Sequence, residues 1–472
     1  MLRSTAQRRD DALAIWSAAV RAVDSCRLVR KYVRVEGRQL LIGDESIRLD
    51  SIRRIIVVGA GKAGAGMAEG IELALGEPLM AAKDLAGWIN VPEDCVRPLS
   101  RIRLHGARPA GINEPTEAGV IGTQRILDLV TQASADDLCI CLLSGGGSAL
   151  LPAPVQGIRL ADKQAVTKHL SGAGANILEL NTVRKQLSRI KGGGLARECR
   201  AGRLRTLIIS DVLGDPLDVI ASGPTVPNQT TAQDALRVLE QFSAREAGIA
   251  SQVFDRLEQA DRTASSRAEP GIDVKNLIIG NNAAAVDAAG IEAERRGYNR
   301  TMTSSSKPEG TAEEVGSALA RTARRMQSEP GPDCLITGGE PVVQLVPSPR
   351  RGRGGRNQQL VLASLLELID PLRSGEARHN ATAQMLSGIT ILSGGTDGED
   401  GPTDAAGAMI DDDFCRSMAQ LGLDPFEHLA RNNAYPFFEA IGSLLKTGPT
   451  HTNVCDVRVV VVDRMDRQTG AS

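Results

Sequence analysis

One pattern constrains this chain more than any other: a short β-branched run ends in a small, polar, glycine-containing turn, and a helical stretch follows. It occurs at 54–64 (RIIVVGAGKAG), 138–148 (LCICLLSGGGS), 206–215 (TLIISDVLGD), 277–283 (LIIGNNA), 334–340 (CLITGGE) and 390–397 (TILSGGTD). A last apolar run, 456–463 (DVRVVVVD), reads as one more strand. Strands alternating with helices predict βαβ units and parallel sheet, hence an α/β fold. The composition agrees, with 42% hydrophobic residues but only 2% aromatic, because parallel strands covered on both faces are rich in Val, Ile and Leu. A chain of 472 residues exceeds one ordinary core. The polar stretch 260–271 (ADRTASSRAEPG) places the boundary, giving domains of 1–265 and 266–472.

A formal charge of −2 gives no basic surplus to hold nucleic acid and no acidic tail. The N-terminus, MLRSTAQRRDDALAIWSAAVRAVD, lacks an apolar core segment and reads as an amphipathic helix rather than a leader. No apolar run approaches the ~18 residues of a membrane span. The cysteines form no CxxC pair, and Cys139 and Cys141 alternate on one apolar strand. They read as small core residues in a reducing cytoplasm.

Chemistry concentrates in the turns. The segment 391–407 (ILSGGTDGEDGPTDAAG) packs Asp397, Glu399, Asp400 and Asp404 among glycines behind an apolar strand. Carboxylates there suit Mg²⁺, and glycines let backbone amides approach phosphate; the spacing is not that of an EF-hand. Gly59, Gly61 and Gly64 fit G-x-G-x-x-G directly after a strand, the dinucleotide fingerprint. Lys62 inside that turn puts positive charge at a helix N-terminus, which suits a phosphate or carboxylate. Ser144, Gly145, Gly146, Gly147 and Ser148 offer successive N–H groups and two hydroxyls, an anion nest. In 180–196 (LNTVRKQLSRIKGGGLA), Arg184 and Lys191 lie seven apart, which on one helix places them on one face. Asp211 and Asp215 follow a strand and suit Mg²⁺ or general-base work. The arginine–glycine loop 348–357 (SPRRGRGGRN) would answer a polyphosphate.

Together, the segments 57–72, 142–158, 180–196, 209–227, 352–363, 392–409 and 447–457 resemble, in order and over nearly the whole chain, the glycerate 2-kinase family with a C-terminal MOFRL domain. The resemblance implies a Rossmann-like N-terminal domain with parallel sheet and a smaller α/β C-terminal domain, its MOFRL region at about 333–463, with the active site in a cleft between them. It implies ATP-dependent phosphorylation of D-glycerate at the 2-hydroxyl with Mg²⁺, and catalytic roles for the lysine of GAGKA and the arginine of GGRNQ, here Lys62 and Arg356. On that footing the 144–148 turn and Arg184 take the glycerate carboxylate, and Lys62 and Arg356 neutralise the γ-phosphate. Gly59, Gly61, Gly64, Lys191, Gly339, Glu340 and Asn357 line the nucleotide. Asp211, Asp397 and Asp404 are the metal candidates, with Asp211 or Asp397 taking the hydroxyl proton. The partners are small molecules, and a homodimer stays open. The chain departs from the family pattern at His105-Gly-Ala-Arg108-Pro (usually GHP-x-PD), at TGPTHTNVCD (usually TGPTGTNVND) and at Asn432-Asn433-Ala434-Tyr435 (usually NDSY). Two other readings fit parts of the pattern: a nicotinamide-dependent hydroxypyruvate reductase, from the 59–64 turn, and a non-catalytic phosphometabolite-binding module.

Overall fold

A computed structural model describes residues 3–262, 271–369 and 387–464. The chain divides into two compact units, 25–280 in one and 1–24 with 281–472 in the other. The expected boundary at 265/266 lies outside the described residues.

The 25–280 unit opens with the helix Ser25–Tyr32 and a three-stranded antiparallel meander, β1 (Val33–Glu36), β2 (Gln39–Ile42) and β3 (Glu45–Arg48). Its main sheet holds β4 (Ile55–Ala60), β5 (Ala86–Pro92), β6 (Ile102–Arg108), β7 (Leu138–Leu143), β8 (Arg203–Ile209) and β9 (Asp273–Gly280). These lie in the order β6-β5-β4-β7-β8-β9, with every pair parallel. Counted from β4, that is the doubly wound order 3-2-1-4-5-6. Every residue of β4 and β7 is buried, as strands covered on both faces must be. The order reverses between β4 and β7, so the crevice that takes ligands in such sheets opens at their carboxyl ends. A separate helical cluster, with Val166, Leu180, Val183, Leu236 and Phe254 at its centre, carries helices Leu160–Gly172 and Ile177–Gln186.

The other unit holds β10 (Arg300–Ser304), β11 (Cys334–Gly339), β12 (Ile389–Gly395), β13 (Gly407–Ile410), β14 (Leu444–Leu445) and β15 (Asp456–Val462), in the order β10-β11-β15-β12-β13-β14. Here the expectation of parallel sheet fails. Only β10 and β11 pair parallel, and the other four pairings are antiparallel. The chain enters β15 from the 447–455 loop rather than from a crossover helix, so β15 slots between β11 and β12 running against both. The N-terminal helix, Thr5–Ala22, belongs to this unit: Trp16 is buried and donates Nε1–H to Gly394 O at 3.2 Å. Arg8 reaches Asp412 and Asp463. No described helix is long and apolar enough to cross a membrane.

Candidate functional site

The glycines of the 59–64 turn are used within the fold. Gly59 and Gly61 hold φ of 153° and 149°. A β-carbon at Gly59 would sit 2.0 Å from Leu142 O, and one at Gly61 would sit 2.0 Å from Ser144 Oγ. A β-carbon at Gly64 would meet Ile89 at 2.9 Å, so its absence lets the helix pack on β5. The 144–148 turn is laced to this loop: Lys62 N donates to Gly145 O (2.9 Å), Ser144 N to Ala60 O (3.2 Å) and Ala63 N to Ser144 Oγ (3.0 Å). The hydroxyl of Ser144 is therefore a tie between turns. The lacing fixes the half-buried Lys62 beside Gly146, whose own β-carbon would lie 3.8 Å from Lys62 Cγ and 3.2 Å from Arg108 Nη2. Lys62 and the 144–148 turn thus come together at the switch point, and Asp211 follows the end of the neighbouring strand β8. The polar groove lined by Asp50, Arg53, Asp136, Arg203 and Asp273 lies at the amino ends of the same strands, away from this site.

Beside the turn lies a buried set of cations. The helix carrying Arg184 ends at Gln186, not at the 192–194 glycines, so Arg184 and Lys191 do not share a helical face. Tertiary pairing ends it: Val155 N donates to Leu187 O and Arg189 N to Ala153 O. Lys191 folds back instead, 4% exposed, giving Nζ–H bonds to Ser148 O (2.7 Å) and Ser148 Oγ (2.5 Å). Ser148 Oγ meets Ser222 Oγ at 3.0 Å, and Ser222 donates to Asn181 Oδ1 at 3.1 Å. Ala221 and Ser222 both hold positive φ (50° and 62°), backbone strain of the kind that gathers at working sites. Burial, followed by the charges of Lys163 and Arg184, holds Lys191 well below the ordinary lysine range.

In the other unit Arg356 opens a buried helix, Arg356–Ile369. Its guanidinium grips Asp456 with two hydrogen bonds (2.7 and 3.0 Å) and gives a third to Glu340 at 2.8 Å, leaving 33% of the side chain exposed. Burial works against its charge, but the Asp456 carboxylate outweighs that and keeps Arg356 firmly protonated. Glu340 is pushed up by burial, which Arg356 only partly offsets. Asp400, fully buried, caps the same helix by accepting the N–H groups of Asn357 (3.0 Å) and Gln358 (2.9 Å). Burial pushes its carboxyl up to about 7. Asn357 is 1% exposed and spent inside, its amide bonded to Asp400 and to Ser393 Oγ. The β-carbon space of Gly339 is taken by Glu309, which pairs with Arg458.

Of the three metal candidates, Asp404 pairs with Tyr435 and Lys446 at the surface. Asp397 accepts Glu399 N at 3.1 Å beside Gly395, next to which Asp456 also stands. Among the described residues, no group of three or more His, Cys, Asp or Glu is arranged to hold a metal. Single strand-end carboxylates still fit a Mg²⁺ ion that keeps waters and arrives on substrate phosphates.

The departures from the family pattern have structural readings. His105 bonds Ala118 O and packs its ring at a tilt against Trp88. Asn432 and Asn433 accept Val346 N and Arg353 N, anchoring the arginine loop. His451 and Cys455 hold φ of 59° and 65°, where the family's Gly and Asn would sit with less strain. Cys455→Asn is expected to raise the unfolding midpoint by removing about 1 kcal/mol of backbone strain, with Glu340, 3.8 Å from Sγ, ready to accept from the new amide. A calorimetric scan showing an unchanged or lower midpoint contradicts this.

Sequence reasoning missed Lys163, Asn181, Ser222 and Asp456 as members of these clusters. Asn181, Ser222 and Asp456 do lie within the segments 180–196, 209–227 and 447–457, and Asp456 also opens the apolar run of β15.

Family models match at residues 11–258, a domain of unknown function (DUF4147), and at 333–456, the MOFRL family. A D-glycerate 2-kinase from Thermotoga maritima is 33% identical, covering 87% of this chain and 91% of its own. A putative hydroxypyruvate reductase from Agrobacterium vitis is 38% identical over 87% of this chain and 99% of its own. The crystal structure of a glycerate kinase from Thermotoga maritima superposes with a TM-score of 0.76 at 32% identity, covering 96% of this chain and 99% of that one.

Proposed function

The chain belongs to the glycerate kinase family, and from that premise we propose that it transfers the γ-phosphoryl group of ATP to the 2-hydroxyl of D-glycerate. The observation that carries this is Lys62, fixed by the lacing of two glycine turns at the switch point, the second of which is also held by Lys191 through Ser148. Phosphoryl transfer asks the protein to align two oxygens and to neutralise charge on the moving group. Lys62 does so as a point charge and Arg356 as a planar fork. The 144–148 turn and Arg184 hold the acceptor's carboxylate, and Asp211 takes the hydroxyl proton. Glu340 and Asp456 orient Arg356, and Asn357 with Asp400 hold its helix in place. Mg²⁺ carried by the nucleotide would supply further charge neutralisation, with Asp211 and Asp397 the carboxylates of fitting type.

The hydroxypyruvate reductase reading draws on the name of the A. vitis relative and on Glu93, which directly follows β5. Against it, the space in front of Gly61, where a dinucleotide's pyrophosphate would approach, is filled by Ser144 Oγ. A non-catalytic anion sensor would gain nothing from Asp211 beside its nest. Protein with D-glycerate, ATP and Mg²⁺ in one tube, and with hydroxypyruvate and NADH in another, separates the readings. ADP release in the first alone is expected, and NADH oxidation in the second alone overturns the kinase.

Activity is expected to need a divalent cation, with Asp211→Asn and Asp397→Asn each raising the Mg²⁺ concentration for half activity. EDTA-treated protein running at full rate would remove the metal from the account.

A further inference from the structure

Lys163 is the anomaly of the 25–280 unit. It sits on helix Leu160–Gly172, is 8% exposed, and its amine is buried without a hydrogen-bond partner. An ammonium in that position ordinarily finds a carboxylate. The charges around it have the same sign. Thr167, one turn further along the helix, receives Arg184 Nε–H at 3.5 Å, which brings the guanidinium to the face that carries Lys163. Lys191, which feels both charges, stands on Ser148 and Ser222, and Ser222 links to Asn181, one helical turn before Arg184. Lys185, by contrast, has its partner in Asp218 at 3.1 Å. Burial, then the charge of Arg184, pushes Lys163 down to about 7, which measures how poorly the unfilled cluster tolerates a further charge.

We propose that Lys163, Arg184 and Lys191 form one anion subsite in which the substrate's carboxylate binds, accepting from Arg184 at the rim and supplying the buried amine of Lys163 with its missing acceptor. This rests on the kinase reading for the identity of the anion, and it adds to that reading a recognition residue outside the motifs. Recognition by a buried amine is selective: an acceptor lacking the carboxylate would leave three like charges together, and a neutral polyol would bind poorly. Ser148 and Ser222 hold Lys191 in place and are positioning residues.

The test is Lys163→Met, which keeps the length and removes the charge. Its KM for D-glycerate is expected to rise about tenfold or more while its KM for ATP stays within about twofold. The upward Tm shift that D-glycerate gives the wild type is expected to vanish, and the unliganded Tm to stay level or rise, since an uncompensated buried charge is gone. If Lys163→Met does not accumulate as folded protein, Lys163→Gln carries the same measurements. An unchanged KM for D-glycerate, in a background where the wild type turns over, overturns the subsite and leaves the kinase standing. If the wild type fails to phosphorylate D-glycerate, inorganic phosphate serves as the probe. A phosphate-induced Tm shift that is lost in Lys163→Met then supports the subsite although the kinase reading has fallen, and a shift that persists overturns the subsite too.

Discussion

Arg356→Lys is expected to lose about 10³-fold in kcat although it keeps the charge. The reason is geometric. The guanidinium uses Nε and Nη2 on the two oxygens of Asp456 and Nη1 on Glu340, so its remaining edge is fixed in direction. An ammonium on a flexible stem can satisfy one carboxylate but cannot hold that orientation. Asp456 is fully buried, so Arg356→Ala would strand its charge and confuse lost catalysis with lost stability; the lysine variant avoids this. If Arg356 acts on the transition state, kcat falls far more than the KM for ATP rises. Arg350 and Arg351 share the loop but are exposed, and their lysine variants should behave as wild type. Three wild-type values would make the loop a solvated surface and remove Arg356 from the site.

Lys62→Ala is expected to reduce kcat by at least about 10³-fold with the fold intact. The bonds that lace the two turns run through backbone groups and Ser144, including Lys62 N to Gly145 O, and they survive loss of the side chain. Tm should therefore move by no more than an ordinary surface substitution allows, about 0.5 kcal/mol in stability. Circular dichroism beside a kinase assay decides the matter, and near-normal kcat in folded mutant protein sinks the assignment.

Much of the 25–280 unit was legible because buried parallel strands write themselves as uninterrupted apolar runs, as β4 and β7 do. The direction of a strand leaves no such mark. β15 is as buried as any other, yet it runs antiparallel because of the loop that feeds it. Nor could chain order reveal that Thr5–Ala22 packs with the C-terminal unit, which depends on Trp16 meeting β12. The β1–β3 meander escaped because its strands are four residues each, partly exposed and half polar.

Turns of unusual composition drew the reading to Lys62, the 144–148 nest and Arg356. Residues of ordinary appearance did not stand out. Lys163 lies in a helix of mixed polarity that reads as a solvated face, and only its burial sets it apart. The end of the Ile177–Gln186 helix is set by pairing with 153–155, beyond the reach of local propensity. Among the four acids of 391–407, sequence alone could not tell that Asp400 turns inward to cap a helix while Asp404 stays at the surface. The glycines misled in a physical way. A G-x-G-x-x-G turn reports close approach of something to the backbone, and here it is Leu142 and Ser144 of the neighbouring strand and turn.

The central claim is transfer of a phosphoryl group from ATP to the 2-hydroxyl of D-glycerate, and the product itself tests it most directly. A phosphorus NMR spectrum of a completed reaction of protein, D-glycerate, ATP and Mg²⁺ is expected to show ADP and 2-phosphoglycerate in equal amounts. A 3-phosphoglycerate resonance would contradict the assigned position, and unchanged ATP with D-glycerate present would contradict the activity.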